Sequence, residues 1–125
     1  MRARTDQSHF LLLFNKVYGQ AHTGCSVNIN KLNSPPIFGY MVGIKNVGVY
    51  DSIQSVIAGE VIDSIKQYHT GSNKNYLGIW SDSQTGKVYF DISIWIETLE
   101  LAKQIGTNRN EIAIWDLKNN NEIIL

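Results

Sequence analysis

Cysteine is almost missing from this sequence: Cys25 is the only one in 125 residues. A lone thiol excludes an internal disulfide and a thiolate zinc cage within one chain, and it fits a reducing, cytoplasmic setting. An excess of charge of either sign is also lacking, since eleven Lys and Arg balance eleven Asp and Glu. No general field gathers phosphate backbones or anionic lipid, so nonspecific nucleic-acid binding is disfavoured, although a local basic patch stays open. Long hydrophobic runs are absent as well. The run from Phe10 to Phe14 behind Arg2 and Arg4 is closed by Asn15 and Lys16 without a small-residue cleavage site, so no signal peptide is expected. Nothing elsewhere approaches the ~20 apolar residues of a membrane-spanning helix, and a soluble protein is expected.

What remains is a globular balance, 43% apolar and 18% charged residues, in a chain the size of one domain that can bury a core without metals or disulfides. The two prolines stand together in Ser34-Pro35-Pro36, where they remove two donors and hold the preceding backbone extended. Residues 1–36 read as an N-terminal extension whose apolar segment, Phe10 to Val17, is either a short strand or a helical turn. The regular domain is expected over residues 37–125.

Residues 37–44 (IFGYMVGI) are rich in β-formers between turn signals and predict a strand, with Gly39 and Gly43 marking a bulge or a close backbone approach. Asp51 is a candidate N-cap for an amphipathic helix, because Ile53, Ile57, Val61, Ile65 and Tyr68 recur every three or four residues. Gly59 sits inside that pattern as a candidate break, and residues 70–73 (TGSN) end it. Residues 76–82 and 87–94 predict two strands joined by Ser83-Gln84-Thr85-Gly86, whose Gly supplies the positive φ of a hairpin. In the second of these, Val88, Phe90, Ile92 and Ile94 share one face, with Tyr89, Asp91 and Ser93 on the other.

A second helix is expected over residues 95–105 with Gly106 as its stop, then a well-covered strand over 111–117. Residues 118–121 turn the chain toward a short last strand at 122–125. Phe90, Ile92, Leu99, Ala102, Ile112 and Ile114 are expected to form one contiguous core. The fold class is α+β, a four-stranded, mostly antiparallel sheet carrying two helices. The order strand, helix, strand, strand, helix, strand matches a ferredoxin-like (split βαβ) arrangement, and another antiparallel sheet with two helices fits the same elements.

No catalytic constellation stands out. His9, His22 and His69 lack a spacing that sets two ligands on one helix face, and no metal or cofactor site is assigned. Cys25 has no local base and reads as a half-buried thiol. The glycines match neither a P-loop nor a Rossmann turn. Aromatic density is the unusual feature: Tyr76, Trp80, Tyr89, Phe90, Trp95 and Trp115 cluster around the hairpin and the later strand. Tyr89, Asp91 and Ser93 share a polar-leaning strand face that must be covered or left wet. Arg109, flanked by Asn108 and Asn110, is the candidate for anion recognition, against the simpler reading of a solvated loop arginine. Tyr40, Trp80, Tyr89, Asp91, Arg109 and Asn110 form the expected partner-binding set.

Several ordered segments carry a resemblance: Gly39-Tyr40-Met41-Val42 after a proline, Tyr76-Leu77-Gly78-Ile79-Trp80, Lys87 through Ser93, the Ala102 region, and Asn110 through Leu117. Together they resemble a family of small bacteriophage and prophage proteins that also occurs as a module in the polyvalent proteins of mobile elements. The N-terminal part departs from that pattern. The resemblance implies a phage or mobile-element origin and no established reaction. By analogy it implies a small protein that binds and inhibits a host defence component, as an anti-CRISPR protein does, or that sequesters its nucleotide signal. The other class is a small enzyme modifying host proteins or a nucleotide cofactor, with Tyr40, Tyr89, Asp91 and Arg109 gathered in a cleft. Self-association is left open.

Overall fold

The computed structural model describes residues 2–125, and side chains from Ser8 onward. The chain runs α1 (Arg2–Tyr18), β1 (Cys25–Asn28), β2 (Tyr40–Tyr50), α2 (Ala58–Ile65), β3 (Asn75–Ser81), β4 (Val88–Ile96), α3 (Leu99–Asn108), β5 (Ala113–Asp116) and β6 (Asn121–Ile124). Short 3-10 turns at Ile53–Ser55 and Lys66–Tyr68 flank α2. The strands form one sheet in the order β1-β3-β4-β2-β5-β6, each antiparallel to its neighbours. The fold is therefore α+β, but the expectation of four strands and two helices, with its ferredoxin-like variant, is corrected to six strands and three helices. The four strands of the expected sheet are the inner four, the short last strand expected at 122–125 is β6 at one edge, and β1 extends the other.

The largest correction is at the N-terminus. Phe10, Leu13, Phe14 and Val17 recur every three or four residues, and in α1 all four are buried with Val27 and Ile29 against Val61, Ile65, Leu77, Phe90 and Ile92. Residues 10–29 are thus part of the main core, and Pro36 does not mark where the folded domain begins. The strand-or-turn reading of the Phe10 segment missed this because its polar flanks hide a stripe that only a long helix aligns.

β4 carries the second organising pattern. Its even positions face the helices: Val88, Phe90 and Ile92 lie under α1 and α2, while Ile94 and Ile96 reach a separate cluster with Val42, Ala102 and Ile114 under α3. The single core expected from six residues is accordingly two clusters along one face. Leu99 and Ile112 belong to neither; they are 36% and 81% exposed, because α3 turns Ala102 inward and β5 presents Ile114 instead. Gly106 is a further correction. It is buried inside α3 rather than ending it, since a Cβ there would stand 2.6 Å from Leu125 Cδ1 and 3.1 Å from Ile114 Cγ2.

Local chemistry moved other boundaries. β2 continues past Ile44 through irregularities between Gly43 and Lys45 and between Asn46 and Gly48, so the helical segment starts later than Asp51. Ser52, not Asp51, caps the first 3-10 turn, through a reciprocal pair of bonds with Ser55. The helix break lies before Ala58, and Gly59 is inside α2. Trp95 and Ile96 extend β4 rather than open the helix, because the alternation of β4 carries on through them. The β3–β4 hairpin is as expected, with Gly86 at φ 79° and Asp82 accepting the Gln84 backbone N–H at 2.9 Å.

At the β2 end, the Tyr50 hydroxyl donates to Glu60 Oε1 at 2.9 Å and ties the sheet to α2. Desolvation, then the Glu60 carboxylate, pushes the phenol up to about 12, against 10 for a free tyrosine. The folded state therefore holds this proton after an unfolded chain has lost it. The stability it contributes is complete below pH 10 and disappears as pH climbs toward 12. Thermal melting followed across that window is expected to fall more steeply for the native protein than for Tyr50→Phe. Parallel slopes would show that the pair is not linked to folding. Among the described residues, no helix is long and apolar enough to cross a membrane.

Candidate functional site

All three helices cover one face of the sheet, so the odd positions of β4 and their register partners are left on the other. Across that face Asp91 pairs with Gly78 on β3, which pairs in turn with Ser26 on β1, while Ser93 sits between Tyr76 and Gly43. Trp95 aligns with Met41, and Met41 with Trp115 on β5. Two glycines, Gly43 and Gly78, leave the middle of this surface without side chains. The larger residues around them make walls, and the result is an open hollow of about 860 Å³. Trp80 and Trp115, 47% and 38% exposed, both line it, with Met41, Pro35, Asp91 and Glu122 among the other lining residues.

The Trp80 side is built in detail. Its indole stacks on the Tyr89 ring with centroids 4.2 Å apart and planes 9° from parallel. Its Nε1–H donates to Asp91 Oδ2 at 3.2 Å, and Asn46 Nδ2–H donates to Asp91 Oδ1 at 2.9 Å. Each carboxylate oxygen keeps further acceptor capacity. A smaller adjoining hollow of about 500 Å³ shares Gly43, Asp91 and Ser93 and adds Lys45, Asn46 and Glu111. Glu111 reaches over the sheet closely enough that a Cβ on Gly43 would meet its Oε1 at 2.9 Å.

The segment between β1 and β2 brings Pro35 to the larger hollow and packs against Trp95 at the end of β4. Gly39 takes φ 84°, and a Cβ on it would lie 2.6 Å from the Trp95 indole. That contact lets Trp95 Nε1–H donate to the Phe38 carbonyl at 2.8 Å while the two rings meet edge to face. Cys25 also lines the larger hollow, and burial pushes its thiol up, away from thiolate. The geometry suits recognition of an apolar or aromatic surface with hydrogen-bonding groups at its edge.

The structure brings together Trp80, Tyr89 and Asp91 from the expected set. It does not bring in the other three. Tyr40 is on the helix-covered face, half-buried with the α3 cluster opposite Ile96 and Asp116. Arg109 is the exposed C-cap of α3, its N–H on the Ile105 and Gly106 carbonyls, and Asn110 follows at φ 60°. Neither lines a hollow, because α3 lies across the sheet from the open face. The cleft imagined from Tyr40, Tyr89, Asp91 and Arg109 is therefore not formed.

Sequence reasoning missed Ser26, Met41, Asn46, Glu111 and Glu122 as neighbours of this surface. Met41 had a usable signal in the alternation of β2. Glu111 had none, since its approach to Gly43 depends on the pairing of β5 with β2. His9 and His69 do come together, ring centroids 4.8 Å apart, with His9 Nε2 at 2.6 Å from the Ile29 carbonyl. Among the described residues, no group of three His, Cys, Asp or Glu side chains is arranged to hold a metal ion. Comparison with family models, with curated proteins and with solved structures finds no match.

Proposed function

We propose that this protein is a small binding protein that acts by occupying a host defence component through the open face of its sheet. One observation carries the reading: three helices share one face, and the opposite face keeps a hollow lined by Trp80 and Trp115 that none of the described helices covers. Exposed tryptophans around a concave surface are the residues that dominate binding energies when a partner buries them. The phage-family resemblance supports a defence component as the target.

Of the two kinds of target considered, a protein is favoured over a nucleotide signal. Among the described residues, those lining the larger hollow include Asp91 and Glu122 and no Lys, Arg or His. A phosphate would enter against two negative charges with no donor cation to meet it. The enzyme alternative loses the cleft nominated for it, because Tyr40 and Arg109 lie away from Tyr89 and Asp91.

Expressed in hosts whose defence restricts a phage, the protein is expected to restore plaque formation. Trp80→Ala should lose that restoration while melting at nearly the native temperature, since the indole is half exposed and outside both core clusters. In a timed titration against the affected component, full inhibition is expected near one equivalent. Completion far below one equivalent, growing with incubation, would mean turnover and sink the reading, as would full restoration by Trp80→Ala.

A further inference from the structure

The charges around the two hollows are one-sided in a chain whose total is neutral. Asp91, Glu111 and Glu122 line them, against one lysine, Lys45, which lines the smaller one. Among the described residues the single ion pair within 4.0 Å is Lys66–Asp63 on the α2 side, so these three carboxylates have no cation in contact. Asp91 is held in place by Trp80 and Asn46 through neutral donors, which orient its charge without cancelling it. Beside it, the face of the Trp80 indole that Tyr89 does not cover is a π surface, which attracts cations as the carboxylates do.

We infer that the open face binds an extended protein segment carrying an arginine or lysine side chain, seated beside Trp80 with its charge toward Asp91 and Glu111. The inference rests on the proposed binding role of this face and adds the chemistry of the occupant. A planar guanidinium fits best, because it can lie on an indole and still direct N–H donors in its plane to a carboxylate. The larger hollow, at about 860 Å³, has room for such a side chain and its neighbours. A nucleotide's phosphate meets charge of its own sign here, and an aliphatic segment leaves the carboxylates desolvated without partners.

Peptides test this without knowledge of the natural partner. A blocked, arginine-containing peptide at millimolar concentration is expected to shift the indole N–H resonances of Trp80 and Trp115. The same peptide with citrulline, neutral and equal in shape, should bind about tenfold more weakly. Glu111→Gln, which keeps the shape of the side chain, should reduce the preference for arginine over citrulline toward one. Equal binding of the two peptides on the same resonances would overturn the cationic occupant and leave the binding role of the face standing. Adenosine monophosphate shifting those resonances where the arginine peptide does not, or neither peptide moving them, would overturn the inference as well. The binding role itself fails by a separate result, unchanged plaque restoration by Trp80→Ala and Trp115→Ala.

Discussion

Phe90→Ala is expected to leave the protein close to unfolding. The ring is fully buried near the middle of β4, with Phe14 of α1 at 5.9 Å and Tyr50 of β2 at 6.1 Å between ring centroids. Truncation removes the transfer free energy of the ring and opens a cavity that three separate elements cannot close together, a cost of about 3–5 kcal/mol. Set against a total stability of roughly 5–15 kcal/mol for a domain, the loss is a large fraction of what holds the fold. Urea unfolding monitored by circular dichroism should show the midpoint falling strongly with little change in slope. A midpoint near that of the native protein would mean that the β4 faces are assigned the wrong way round.

The second large effect is expected at Leu13→Ala, far from the sheet in sequence. Leu13 is fully buried, and its cluster joins α1 to α2 and to β3 and β4. Its truncation should cost about 2–5 kcal/mol, within the range of large-to-small changes in a core. Were residues 1–36 an extension outside the domain, the same change would act at a surface and stay within about 0.5 kcal/mol. The two outcomes are far enough apart for one pair of unfolding curves to separate them. Leu12→Ala is the internal control, because Leu12 is 55% exposed on the same helix.

The two variants also mark where sequence and structure part. The β3–β4 hairpin and the two faces of β4 were legible because they are local: alternation has a period of two, and Gly86 supplies the turn. Half of the candidate site follows from them, since Trp80, Tyr89 and Asp91 belong to one hairpin. Tyr40 and Arg109 were misplaced for the complementary reason. Their side chains gave no sign of which face the pairing of β2 or the packing of α3 would turn them toward. Residues 10–17 were ambiguous because Leu11 and Leu12 fill the run between Phe10 and Leu13 and mask the helical period of Phe10, Leu13, Phe14 and Val17, and docking against α2 and the sheet selects helix.

By itself the sequence determined the composition of a globular α+β chain, the hairpin, and the alternation that puts apolar residues on one side of β4 and Tyr89, Asp91 and Ser93 on the other. Tertiary structure alone decided that α1 completes the core, that β1 widens the sheet, and that the three helices described lie on the same face. It also decided that Glu111 and Trp115 come to the surface that Trp80 and Asp91 occupy. The physical reason is range. Alternation and turn chemistry act between residues a few positions apart, whereas the uncovered face exists only because strands distant in the chain pair in one order and leave their apolar sides to be shared by all three helices.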